Sequence, residues 1–323
     1  MSNGLSRKNQ ILVGVLVLQL LLAVVLLWPR GAQTSSNEPM FADLDQVIEV
    51  RIQDNTDSAV TLVKSGELWV LPDADDYPTQ ENKVQDLLDK LAAFESNRLV
   101  TQTASSHRRL QVAADEFVRQ VTLTWADGTA GTFFLGTAPS YGVIHVRFDR
   151  QDEVYLVSNL SVADVGASAG SWIDTLYLSI DTAQVFDLTL ENANGAFTFS
   201  KGEGDVWLMT GLGAEEVLSQ ADVTSLVSRA ASVRMIKPLG KQGQAGYGTQ
   251  TPGALVTVKA RDAEGNETTT ILRVGTKDEE TGNYVVISSA SPYYVQVSGY
   301  SVQDFVEKTR EDFIEPPPTP AAE

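Results

Sequence analysis

The chain has 323 residues, a length for about two domains, and 43% of them are apolar, enough for packed cores and too many for a disordered chain. Twenty-four Lys and Arg face 42 Asp and Glu, a net charge of −18, which makes nucleic acid a poor partner because binding it needs a basic surface to displace counterions. Cysteine is absent, so disulfides, thiolate nucleophiles, Cys-ligated zinc and iron–sulfur clusters are excluded together.

Residues 1–10 carry Arg7 and Lys8 and no acid, and residues 11–28 read ILVGVLVLQLLLAVVLLW, with Gln19 the one polar side chain. At about 1.5 Å per residue this run spans roughly 27 Å, the thickness of a bilayer core. Trp28 stands at its end, where an amphipathic ring suits the interface, and the chain turns acidic soon after Arg30. The positive-inside bias predicts a cytoplasmic segment 1–10, a transmembrane signal-anchor 11–28 and everything beyond it outside the cytoplasm. A cleaved signal peptide is the rival; its apolar region is usually shorter and ends in an A-x-A-like site, which WPRGAQ lacks. A polar linker is expected over residues 29–43.

Beyond the linker the chain repeats itself. VIEVRI (47–52) returns as VFDLTL (185–190) and Trp69 returns as Trp207, both 138 residues apart. FFLGT (133–137) matches LRVGT (272–276), and VYLVS (154–158) matches YVQVS (294–298), at offsets of 139 and 140. Such a period is far longer than a solenoid unit. It predicts two tandem, duplicated α+β domains with mainly antiparallel sheets, over residues 44–180 and 181–315, followed by a disordered Pro-rich tail 316–323.

Within each unit two or three strands form a meander, with turns at KSGE (64–67) and KGEG (201–204). A helix follows: Val84, Leu87, Leu88 and Leu91 in the first copy, and Val223, Leu226, Val227 and Ala230 in the second, recur at i, i+3, i+4, i+7. Thr79 and Ser219 stand where an N-cap belongs. Short strands NRLV (97–100) and VRMI (233–236) come next, so that Arg98 and Arg234 recur in both copies. Asp127-Gly128 and Glu264-Gly265-Asn266 punctuate two hairpins. A short helix is expected to close each unit, near 160–166 and 301–309.

Residues that invite chemistry are few, and each has a structural reading. Trp69 and Trp207 are expected to seal sheet against helix, a ligand platform being the alternative. His107 and His145 are isolated and lack the company a metal site needs. DADD (73–76) breaks the calcium-loop pattern at Tyr77 and Pro78 and reads as a solvated loop, as does DEE (278–280). Arg98 and Arg234 could bind an anion, or pair with local carboxylates or cap a helix end. No G-x-S-x-G elbow or complete dinucleotide fingerprint occurs. No catalytic, cofactor-binding or metal-ligating residue is therefore named, and no cofactor is expected.

Trp69-Val70-Leu71-Pro72, Tyr247-Gly248 with Pro252, and the hairpin-ending Gly136 and Gly275 resemble the pattern of the bacterial domain-of-unknown-function 4340 family. The first copy departs from that pattern with RRLQVAADEFV (108–118) where Tyr-Gly would stand, and the second has Thr210 where Pro would follow the Trp strand. The resemblance implies a membrane-anchored protein encoded beside ABC-type transport components. The expected function is a non-enzymatic accessory or scaffold of an ABC-type export or gliding-motility-like system, held in the inner membrane with its domains outside the cytoplasm. The alternative is a ligand-binding module for a small molecule, glycan or peptide in the cleft between the repeats. The membrane and a transporter or other membrane protein are the expected partners.

Overall fold

A computed structural model describes residues 39–316. The expected segments 1–10 and 11–28, residues 29–38 of the linker and residues 317–323 of the tail lie outside the described residues. Among the described residues no helix is long and apolar enough to cross a membrane.

The fold is α+β and largely β, with mostly antiparallel sheets. The first unit contributes β1 (Val47–Asp54), β2 (Ala59–Ser65), β3 (Leu68–Leu71), β4 (Tyr77–Pro78), helix α1 (Lys83–Ala92), β5 (Leu99–Thr101), β6 (Val112–Ala113), β7 (Glu116–Phe117), β8 (Arg119–Trp125), β9 (Ala130–Leu135), β10 (Val143–Phe148) and β11 (Val154–Ser158). After β12 (Leu176–Ser179), the second unit contributes β13 (Val185–Asn192), β14 (Gly195–Lys201), β15 (Trp207–Met209), α2 (Gln220–Ala231), β16 (Ser232–Arg234), β17 (Lys237–Gly240), β18 (Ala254–Arg261), β19 (Glu267–Lys277), β20 (Tyr284–Ser288), β21 (Tyr294–Val297) and α3 (Gly299–Glu307).

The two large sheets thread one order. The first runs β4-β3-β2-β1-β8-β9-β10-β11-β5 and the second β15-β14-β13-β18-β19-β20-β21-β17. Even the irregularities recur. β1 slips register against β8 between Val47 and Glu49, and β13 slips against β18 between Val185 and Asp187. An extra residue there turns Val47 and Val50, three apart, to the same buried face, and does the same for Val185 and Leu188. On that face lie α1 and α2, whose i, i+3, i+4, i+7 residues are all buried. Each large apolar side chain so placed stabilises by about 1.5–3 kcal/mol. Trp69 and Trp207 are buried in the same core, opposite Lys64 and Lys201 in the preceding strands.

Several expectations need correction. The helix near 160–166 is a 3-10 turn, Val162–Val165, while its counterpart near 301–309 is α3. Ser219 is the N-cap of α2 and accepts the Asp222 N–H, but Thr79 caps nothing: α1 starts at Lys83, and Thr79 donates both its amide and its hydroxyl to the Trp69 carbonyl. NRLV and VRMI are not equivalent strands. β5 lies beyond β11, as β17 lies beyond β21, whereas Ser232–Arg234 pairs with β12 in a separate ribbon. Linker character stops short of residue 43, since Met40 donates its amide to the Phe94 carbonyl and the Phe41 ring packs on Phe94, Phe133 and Phe148.

Candidate functional site: the seam between the units

The two sheets share one apolar core that continues through Trp172, Ile173 and Leu178. The β12–β16 ribbon crosses the expected boundary at 180/181, with Leu178 opposite Val233. Polar contacts then fasten the seam. Tyr77 meets Tyr293 edge to face, with centroids 4.7 Å apart. The Tyr177 hydroxyl donates to the Tyr293 carbonyl and accepts the Ser288 N–H, both at 2.8 Å, and burial pushes that hydroxyl above its ordinary pKa.

The DADD loop is part of this fastening. Asp75 and Asp76 both adopt left-handed backbone, φ 52° and 60°. The turn they make sends the Asp75 carboxylate across the seam, where it accepts the Lys241 N–H at 2.6 Å. Gly240 makes room for it: a Cβ there would lie 2.7 Å from that carboxylate, at a φ of 97° that side chains rarely adopt. Tyr293 donates its hydroxyl to the Asp76 carbonyl, and Lys241 Nζ sits 4.9 Å above the Tyr293 ring. The acidic loop expected to be merely solvated is therefore a clamp. The sequence hid it because its partner is a backbone amide 166 residues away.

Beside the clamp the seam opens into a groove of about 570 Å³. Its walls come from Thr61 and Leu71 of the first unit, the turn at Ala167–Ala169, and Lys237, Leu239 and Tyr247 of the second. Asp73 and Lys237 give it one charge of each sign, and hydroxyls of Ser58, Thr61 and Ser168 line it. The groove suits a small molecule with both polar and apolar parts. A second hollow of about 470 Å³ lies wholly in the first unit, between Met40, Phe41, Trp125 and Phe148, with Asp43 and Asp127 on its rim.

The other singled-out residues stay dispersed. His107 is buried with Nε2 3.0 Å from the Asp152 carbonyl, and His145 Nδ1 lies 2.8 Å from the Thr137 carbonyl. Arg98 donates to the Ser158 hydroxyl and Arg234 to the Thr175 hydroxyl, and among the described residues neither pairs with a carboxylate. Among the described residues no three His, Asp or Glu side chains are placed to share a metal. Asp127 and Asp278 (of DEE) are held below the ordinary carboxylate range by hydrogen bonds within their own turns, as are Asp54 and Asp262.

Residues 69–222 match the sequence model of the family described as Domain of unknown function (DUF4340), so the resemblance to that family is shown over this stretch. The match opens at Trp69, spans Gly136 and runs past Trp207 into α2; Tyr247-Gly248, Pro252 and Gly275 lie beyond it. No curated protein and no solved structure matches the chain.

Proposed function

From this resemblance, and from the fusion of the two units, we propose that the chain is a non-enzymatic, membrane-tethered scaffold whose units together present fixed surfaces to a membrane partner. The apolar run 11–28 is the tether in this reading, with both units outside the cytoplasm and an ABC-type export or motility-like assembly as the partner. The observation that carries it is the shared core with its Asp75 clamp, which makes two binding faces one rigid object. A rigid object spends little conformational entropy on binding, and a tether raises its concentration near a membrane partner.

A second reading is favoured by the seam groove, whose volume and mixed lining suit a small ligand. Mild crosslinking of the tagged full chain in native membranes, followed by purification and mass spectrometry, separates the two. Stoichiometric recovery of transporter subunits supports the scaffold. Recovery of the chain alone, under conditions that keep known complexes intact, overturns it.

A further inference from the structure

The two units differ most on the outer face of their sheets. In the first unit Gln120, Phe134, Arg147 and Val154 stand abreast on β8 to β11. The chain covers this row itself. Phe117 packs on Phe134 with centroids 5.7 Å apart, and a small core closes with Leu110, Val112 and Val154. Arg147 lies buried beneath, 4.7 Å from the Phe134 ring centroid. Its Nε donates to the Val112 carbonyl at 2.6 Å, so the covering segment supplies the acceptor that makes burial of a guanidinium tolerable.

The same row in the second unit reads Leu255, Arg273 and Ile287, with Tyr294 on the next strand. No strand pair like β6–β7 covers it among the described residues; the segment after Gly248 only borders it, with buried Thr249 in the place of Val112 and the Tyr247 ring 5.3 Å from that of Tyr294. A hollow of about 350 Å³ remains, lined by Gln250, Ile271, Arg273, Ile287 and Tyr294. Arg273 is exposed, and among the described residues it makes no ion pair and no side-chain hydrogen bond. The space that Phe117 fills over the row in one unit is open in the other, and among the described residues the arginine there has no acceptor.

We propose that this face docks an extended segment of a partner protein in which an acidic residue stands beside an aromatic one. The aromatic ring takes the place among Ile271, Ile287 and Tyr294 that Phe117 takes over Phe134, and the acid supplies Arg273 with a carboxylate. The chain as a whole carries a net charge of −18, and Arg273 is a point on it where an acidic segment is tolerated. The proposal rests on the scaffold reading and names the surface and the chemistry through which it acts.

The probe is a labelled peptide AADEFV, copied from residues 113–118, titrated into the purified full chain and followed by fluorescence anisotropy. Saturable binding is expected, weakened about tenfold or more by Arg273→Glu and equally by replacing the peptide Phe with Ala. Binding that is absent, or indifferent to Arg273→Glu, overturns the proposal. A concentration-dependent dimer of the full chain that Arg273→Glu abolishes overturns it in favour of a second copy as occupant. The membrane crosslinking experiment repeated on Arg273→Glu keeps the two levels apart: recovery of a partner undiminished by the substitution leaves the scaffold standing and removes this site from it.

Discussion

Gly136 and Gly275 hold the same place in the two units, and each gives up its side-chain space to a backbone carbonyl. A Cβ on Gly136 would lie 2.0 Å from the Leu110 oxygen, and one on Gly275 2.0 Å from the Tyr247 oxygen. The next residue is left-handed in both, Gln111 at φ 54° and Gly248 at φ 64°. Leu110-Gln111 is therefore the first unit's version of Tyr247-Gly248, under a different sequence.

Either glycine replaced by Ala forces backbone apart, since a carbonyl cannot rotate away as a side chain can. Gly136→Ala and Gly275→Ala are each expected to cost about 3 kcal/mol or more in urea unfolding. Gly246→Ala, with open space around it, is the control and is expected to change stability by less than about 0.5 kcal/mol. Equal, small effects at all three positions would show that the carbonyls are not seated as described.

An ion pair also recurs. Lys90 of α1 meets Asp164 at 2.6 Å, and Arg229 of α2 meets Asp304 at 3.4 Å, each tying the helix to the segment that closes its unit. Burial pushes the Asp164 carboxyl up, but hydrogen bonds from Lys90 and Ser161 outweigh it and hold the group below its ordinary 3.8. A depressed carboxylate stabilises the fold above its unfolded pKa, and that contribution disappears as pH falls through the folded one. Asp164→Asn is expected to cost about 1 kcal/mol at neutral pH. The gap to wild type should close below pH 3.8, as denaturant titrations at stepped pH would show. A gap that stays constant down through the acid range would contradict the assignment.

At the clamp, Asp75→Ala removes the acceptor of the Lys241 amide. The expected cost is about 1–2 kcal/mol. Its signature is local: hydrogen exchange should accelerate at Lys241, while the β1–β8 ladder keeps its protection. Unchanged exchange at Lys241 would show that Asp75 does not hold the seam.

Much of the fold was legible because repeated features carry repeated spacing. The Trp, Gly and hairpin positions each recur within two residues of one offset, and the apolar faces of α1 and α2 follow directly from period. What was not legible is what backbone decides. Arg98 and Arg234 look alike, yet Ile236 is the residue whose amide reaches the last strand, as the Arg98 carbonyl does in the first unit. The Leu110-Gln111 turn carries no Tyr or Gly to announce it. Phe41 sits in a polar stretch that reads as linker, and its partners Phe94, Phe133 and Phe148 are brought together by tertiary packing alone. The open row at Arg273 shows only when the two sheets are compared strand by strand.

The two units are expected to move as one rigid body. Asp86 on α1 and Ser225 on α2 are exposed helix positions one period apart, and the chain has no cysteine of its own. Spin labels on Asp86→Cys and Ser225→Cys in the full chain, measured by double electron–electron resonance, read the distance between the units directly. A single narrow distance distribution is expected; a broad or two-peaked one would show that the units move independently.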